Sequence, residues 1–144
     1  MSRKHAAHEM EELHNHEDQE MEEIYNTIQT TGYMSLDTRK FDLLIQLLND
    51  PTRIFKTLTL GGERLTSDHT NAVVRLSEAL ETRSSELESF CLSGFKTNNE
   101  GIHAEGILAI SNCVKTSSLC KLSLEDCGID DTGAFFIAES LFKN

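Results

Sequence analysis

The feature that most constrains the fold is a trio of apolar residues that recurs three times at an interval of 32 residues. Each trio has the spacing L-x-x-L-x-L, and the trios are Phe55, Leu58 and Leu60; Leu87, Phe90 and Leu92; and Leu119, Leu122 and Leu124. Alternate side chains of a strand point to the same face, so the last two residues of each trio are expected to face a shared core. The fixed interval is typical of repeat proteins and predicts three short strands in equivalent positions.

A segment with apolar residues at three- and four-residue spacing follows each predicted strand, which is typical of an amphipathic helix. These apolar positions include Ala72, Leu76, Ala79 and Leu80 after the first strand, Ile107, Ile110 and Val114 after the second, and Ala134, Ile137, Ala138 and Leu141 after the third. Asp68, Asn99 and Asp131 are the predicted N-caps. Strand plus helix, repeated, predicts an α/β solenoid with parallel strands on the inner face and helices outside.

The residues before the repeats divide into two predicted segments. Residues 1–23 carry eight acidic residues, two basic residues and four histidines, so we expect a tail that is disordered or weakly helical. Residues 24–53 are expected to form a helical N-terminal cap, whose main helix follows Asp37 and ends before Pro51. Three repeats then occupy residues 54–86, 87–118 and 119–144.

The third repeat carries a family resemblance. The segment from Gly128 to Leu141 resembles the I-x-D-x-G-A-x-x-L-A-x-A-L segment of ribonuclease-inhibitor-type leucine-rich repeats. Over residues 41–144 the order of segments, including the Asn-Asp-Pro turn at 49–51, is most similar to the C-terminal repeat domain of tropomodulins and leiomodins. The resemblance implies a leucine-rich-repeat solenoid with an N-terminal capping helix, and it implies actin as a partner. Residues 1–23 depart from the family, because they do not match its tropomyosin-binding helices.

The charge balance disfavours several classes of partner. A net charge of −11 argues against nucleic acid and against anionic membrane surfaces. No apolar run approaches the roughly 20 residues that a membrane-spanning helix needs, and the N-terminus lacks a secretory signal. The four cysteines form no C-x-x-C pair, so we expect free thiols in a reducing compartment, the cytoplasm or alternatively the nucleus.

The one candidate metal site is the N-terminal histidine cluster of His5, His8, His14 and His16, which is interleaved with Glu9, Glu12 and Glu17. His5 and His8 lie three residues apart, and Glu12 follows four residues after His8, so these side chains could share one helix face. The H-E-x-x-H signature of zinc proteases is not met, and we expect no metal, no cofactor and no catalytic residue. Metal binding through these histidines is kept as an alternative function.

The expected function is a non-enzymatic protein–protein interaction module, with tropomodulin-like association with actin as a narrower alternative. The outward residues of the predicted strands are mostly small, which makes the inner face a poor site for tight binding. The candidate interaction residues therefore lie in loops and in the last repeat: Arg64, Phe95, Lys96, Lys121, Glu125 and Phe142. Since no further strand or helix follows the third repeat, its apolar edge is expected to be uncovered. We therefore also expect self-association at this edge, or a partner protein that completes the stack of repeats.

Overall fold

A computed structural model describes residues 3–65, 68–83, 86–96, 101–116 and 118–143, without the side chains of residues 3–15, 116 and 143. The elements in chain order are α1 (Arg3–Thr31), β1 (Tyr33–Ser35), α2 (Thr38–Leu48), β2 (Thr57–Gly61), α3 (His69–Glu81), β3 (Ser89–Ser93), α4 (Ala104–Thr116), β4 (Lys121–Glu125) and α5 (Asp131–Lys143).

The strands of the described residues form one parallel sheet in the order β1-β2-β3-β4. Leu58 pairs in register with Phe90, and Phe90 pairs with Leu122, so the predicted column of apolar residues lies across three neighbouring strands. The expected α/β class with parallel strands is therefore confirmed.

One face of the sheet carries the core. Leu58, Leu60 and Leu92 are fully buried, whereas Thr57 on the opposite face of β2 is exposed. Helices α2, α3, α4 and α5 pack side by side in chain order. The alternation of apolar and small residues along each strand thus separates a covered face from an accessible one.

Short polar side chains begin the helices. Asp37 accepts a hydrogen bond from the amide of Lys40 at 2.8 Å, and Asp68 accepts from the amide of Thr70 at 2.9 Å, which confirms both predicted N-caps. The predicted cap Asp131 is wrong by one residue. Asp130 accepts from the amide of Gly133, because the capping side chain must precede the first helical turn. The predicted cap Asn99 lies outside the described residues.

Strand β1 was not expected from the sequence. Helix α1 crosses the predicted boundary between residues 23 and 24 and ends at Thr31. Gly32 follows it, and its φ of 73° suits a residue without a side chain. The buried side chains of α1, Ile24 and Ile28, belong to the same core as Met34 of β1. Packing against α1 therefore holds a strand of only three residues that has no apolar alternation of its own.

A buried arginine connects helix α2 to helix α3. Only 5% of the Arg83 side chain is exposed. Its guanidinium donates hydrogen bonds to the backbone carbonyls of Leu48, Asp50 and Arg53, which form the turn that follows α2. Carbonyls at the end of a helix have no partner within the helix, so Arg83 supplies the donors that this turn requires.

Candidate functional site

Equivalent positions of the three repeated helices differ in burial. The three helices can be aligned by sequence over residues 76–80, 110–114 and 137–141. This alignment gives three sets of equivalent positions: Val73, Ile107 and Ala134; Ser77, Ser111 and Ala138; and Leu80, Val114 and Leu141. The α3 and α4 side chains are buried, since α4 covers α3 and α5 covers α4. The α5 side chains are exposed, and Leu141 reaches 55% exposure.

The strands show the same gradient. Leu58 and Leu60 of β2 are fully buried, but Leu122 and Leu124, in the same columns of β4, are only partly buried. We call the surface formed by Leu122, Leu124, Ala134, Ala138 and Leu141 the end face. It is apolar because its positions are those that the preceding strand–helix units bury.

The backbone of β4 has one open side. The amide of Lys121 donates to the carbonyl that precedes β3 at 3.1 Å, and the carbonyl of Glu125 accepts from the amide that follows β3 at 3.0 Å. Alternate residues of a parallel strand bond to the same neighbour, so the N–H and C=O groups of Leu122 and Leu124 point away from β3. Within the described residues no strand pairs with this side of β4.

Opposite charges mark the two ends of β4. Lys121 begins the strand and Glu125 ends it, and both side chains are exposed. The residues beside them in the register of the sheet are uncharged: Thr57 and Ser89 for Lys121, and Gly61 and Ser93 for Glu125. Of the three five-residue strands, the edge strand alone carries charge on the accessible face.

The other predicted interaction residues are separated from one another. Arg64 is exposed in the turn after β2. Lys96 is half-exposed, and its ammonium lies 2.6 Å from a carboxylate oxygen of Asp126. Phe142 lies on α5 next to the end face and is 91% exposed.

The expectation that Phe95 lies exposed in a loop is wrong. Its side chain is fully buried, with its ring edge-on to the ring of His69 at a centroid distance of 6.1 Å. A Cβ atom at Gly62 would lie 2.7 Å from the Phe95 ring. The backbone at this position is therefore too close to the ring for any residue but glycine. Phe95 therefore belongs to the core and presents no side chain to a partner.

The groups that could carry chemistry are dispersed. Cys91, Cys113, Cys120 and Cys127 are thiols that take part in no disulfide. Burial raises the pKa of Cys113 to about 11, which keeps it a protonated thiol near neutral pH. Among the side chains that the structure describes, no group of three His, Cys, Asp or Glu residues could hold a metal ion.

The predicted histidine cluster is only partly described. His16 lies with its Nε2 3.1 Å from a carboxylate oxygen of Glu20, one turn further along α1. The side chains of His5, His8 and His14 lie outside the described set.

Two grooves flank helix α1. The one between α1 and α2 encloses about 390 Å³ and contains Arg53, whose guanidinium bonds to Glu22 and lies 3.6 Å from Asp50. Its basic group is thus neutralised by two carboxylates of the chain itself. The second groove, of about 160 Å³, lies between α1 and α2 near Met34 and Lys40.

Comparison of the chain with protein-family models, with curated proteins and with solved structures finds no match. Over the described residues, no helix combines the length and the apolar character required to cross a bilayer.

Proposed function

We propose that the chain is a non-enzymatic, cytoplasmic protein-interaction module of the leucine-rich-repeat type that binds another protein through the end face. The observation that carries this proposal is the exposure of α5 and β4 side chains at positions that α3, α4, β2 and β3 bury. Exposed apolar side chains of this kind are typical of a site where a further polypeptide packs.

The repeat assignment has support of its own. Strands β2, β3 and β4 have equal length and start 32 residues apart, and each is followed by a helix of 13 residues. A solenoid of such units buries each apolar edge against the next unit. A protein that supplies a matching apolar surface is therefore the kind of ligand that the end face fits.

The buried thiol of Cys113 is a poor candidate for a catalytic nucleophile. A thiol with a raised pKa is a weak nucleophile, because the thiolate is the reactive form. Cys127 is raised in pKa for the same reason, since burial disfavours its charged form.

An affinity capture with matched variants tests the proposal. Leu141→Glu places a charge in the end face, whereas Leu108→Glu places one on α4 at an almost equal exposure of 51%. We expect Leu141→Glu to lose the bound protein and Leu108→Glu to retain it. Purified actin is included as the partner that the family resemblance implies. Equal capture by both variants would show that the end face is not the binding surface.

A further inference from the structure

We propose that the chain pairs with a second copy of itself through antiparallel association of β4 with β4, about a two-fold axis at Ser123. This proposal rests on the proposed function, because it uses the same end face. It identifies the bound protein as a second copy of the chain. The axis stands perpendicular to the sheet, so the helices of both copies remain on the same side and the two α5 helices become antiparallel neighbours.

The open backbone groups of β4 fit this arrangement. The outward N–H and C=O groups belong to Leu122 and Leu124, as the bonds from β4 to β3 require. With the axis at Ser123, Leu122 of one copy lies opposite Leu124 of the other. Each such pair exchanges two hydrogen bonds, which is the pattern of the hydrogen-bonded pairs in an antiparallel ladder.

The charges select one register. Antiparallel pairing must keep the core-facing side chains of both β4 strands on the same side of the joined sheet. A two-fold axis at Leu122, Ser123 or Leu124 meets this condition. Only the axis at Ser123 sets Lys121 opposite Glu125 of the second copy, and by symmetry it does so twice. These residues form non-hydrogen-bonded pairs, in which facing side chains lie closest, and opposite charges there stabilise the pairing.

Charged residues on an edge strand ordinarily discourage pairing with other strands. On β4 the two charges have opposite sign, and each lies two residues from Ser123. In the two-fold arrangement each charge therefore faces the opposite charge of the second copy, and the charges attract. The opposite edge of the sheet is less suited to this role, because β1 has only three residues. The structure therefore favours a closed dimer over an open chain of copies joined β4 to β1.

Charge exchange tests the register by sedimentation over a concentration series. Lys121→Glu and Glu125→Lys each create two like-charge pairs in a homodimer, and each is expected to raise the dimer Kd about tenfold. An equimolar mixture of the two variants restores both attractive pairs, as does the double variant Lys121→Glu/Glu125→Lys. Recovery in both samples is the expected result. A Kd that does not respond to charge, or a mixture that does not recover, would overturn the proposal.

A cross-link tests the position of the axis. In a Cys91→Ser/Cys120→Ser background, which removes the thiol beside Ser123 on β3, Ser123→Cys would place two thiols in a facing non-hydrogen-bonded pair with Cα atoms about 4.5 Å apart, within disulfide range. With oxidised glutathione as oxidant, we expect a covalent dimer from Ser123→Cys. The matched control Ser93→Cys, on the interior strand β3, should not give one.

The failure of this proposal is distinguishable from failure of the proposed function. If the wild-type chain remains monomeric up to about 1 mM and Ser123→Cys gives no more cross-link than Ser93→Cys, self-pairing is wrong. Loss of a captured protein on Leu141→Glu, in that case, would still support the end face as a binding surface for a different protein.

Discussion

Replacing Arg83 tests how the turn after α2 is held to the rest of the chain. The Arg83→Met variant keeps an unbranched side chain but removes the guanidinium, whose carbon lies 5.3 Å from the centroid of the Phe55 ring. It removes the donors to three backbone carbonyls and the contact with Glu86 at 3.3 Å. The carbonyls at the end of α2 then have no replacement donor at this buried position.

The expected loss of stability is large. A hydrogen bond to a charged group contributes about 1.5–3 kcal/mol net, and the contributions of a connected set are less than additive. We therefore expect Arg83→Met to lower the free energy of unfolding by about 3–5 kcal/mol, similar to breaking other buried charged contacts. The total stability of a domain is about 5–15 kcal/mol, so this loss is a substantial fraction of it.

Arg75, an arginine within α3, provides a control for Arg83, which lies in the turn after that helix. Arg75 lies over the Phe41 ring at 5.0 Å, but its side chain is 43% exposed and its ion pair with Asp42 is long, at 3.4 Å. Arg75→Met should cost only about 0–1 kcal/mol. Denaturant midpoints for both variants decide the matter. Equal midpoints would refute the capping role, whereas partial recovery in Arg83→Lys would indicate that the planar fork of donors matters beyond the charge.

Two further predictions concern the core and the N-terminal helix. Leu58→Ala should cost about 3–5 kcal/mol in free energy of unfolding, whereas Leu122→Ala in the same column should cost about 1–2 kcal/mol because its side chain is only partly buried; equal shifts in the denaturant midpoint would contradict the burial gradient. Hydrogen bonds from Arg39 hold the pKa of Glu20 below its usual 4.5, so their stabilisation is present above that pH and is lost as pH falls through the lower folded value. Glu20→Gln should therefore lower the thermal midpoint near pH 7 but not near pH 2, and a difference that persists in acid would show that this ion pair is not its cause.

The parts of the fold that follow from local periodicity could be predicted from the sequence. The spacing of Leu58 and Leu60 specifies both the position of β2 and its buried face, because the alternation of a strand leaves no other choice. Capping by Asp37 and Asp68 is equally local, since the acceptor and the amides that it satisfies lie within three residues. The same logic identified Lys121 and Glu125 as exposed.

The parts that depend on contacts distant in sequence could not be predicted in this way. Strand β1 pairs with β2 across more than twenty residues, and no alternation in Tyr33–Ser35 indicates it. Arg83 bonds to carbonyls about thirty residues away, and a basic residue near a helix end is ordinarily exposed. The sequence predicts a loop at Phe95, which is correct for the backbone. Its side chain is nevertheless buried, because it packs against the His69 ring of the preceding unit.

The two edges of the sheet differ in what they present to an added strand, and this difference underlies the proposed pairing at β4. At β1 the strand is short and packs with Ile24 and Ile28 of α1, so few backbone groups remain for an added strand. At β4 the backbone groups of Leu122 and Leu124 point outward with no paired strand over the described part of the chain, and Lys121 and Glu125 flank them. Protection by charge depends on the partner: a strand with charges in the wrong order is repelled, and one with the opposite order is attracted. The open edge thus excludes most strands while it admits one whose charges complement its own.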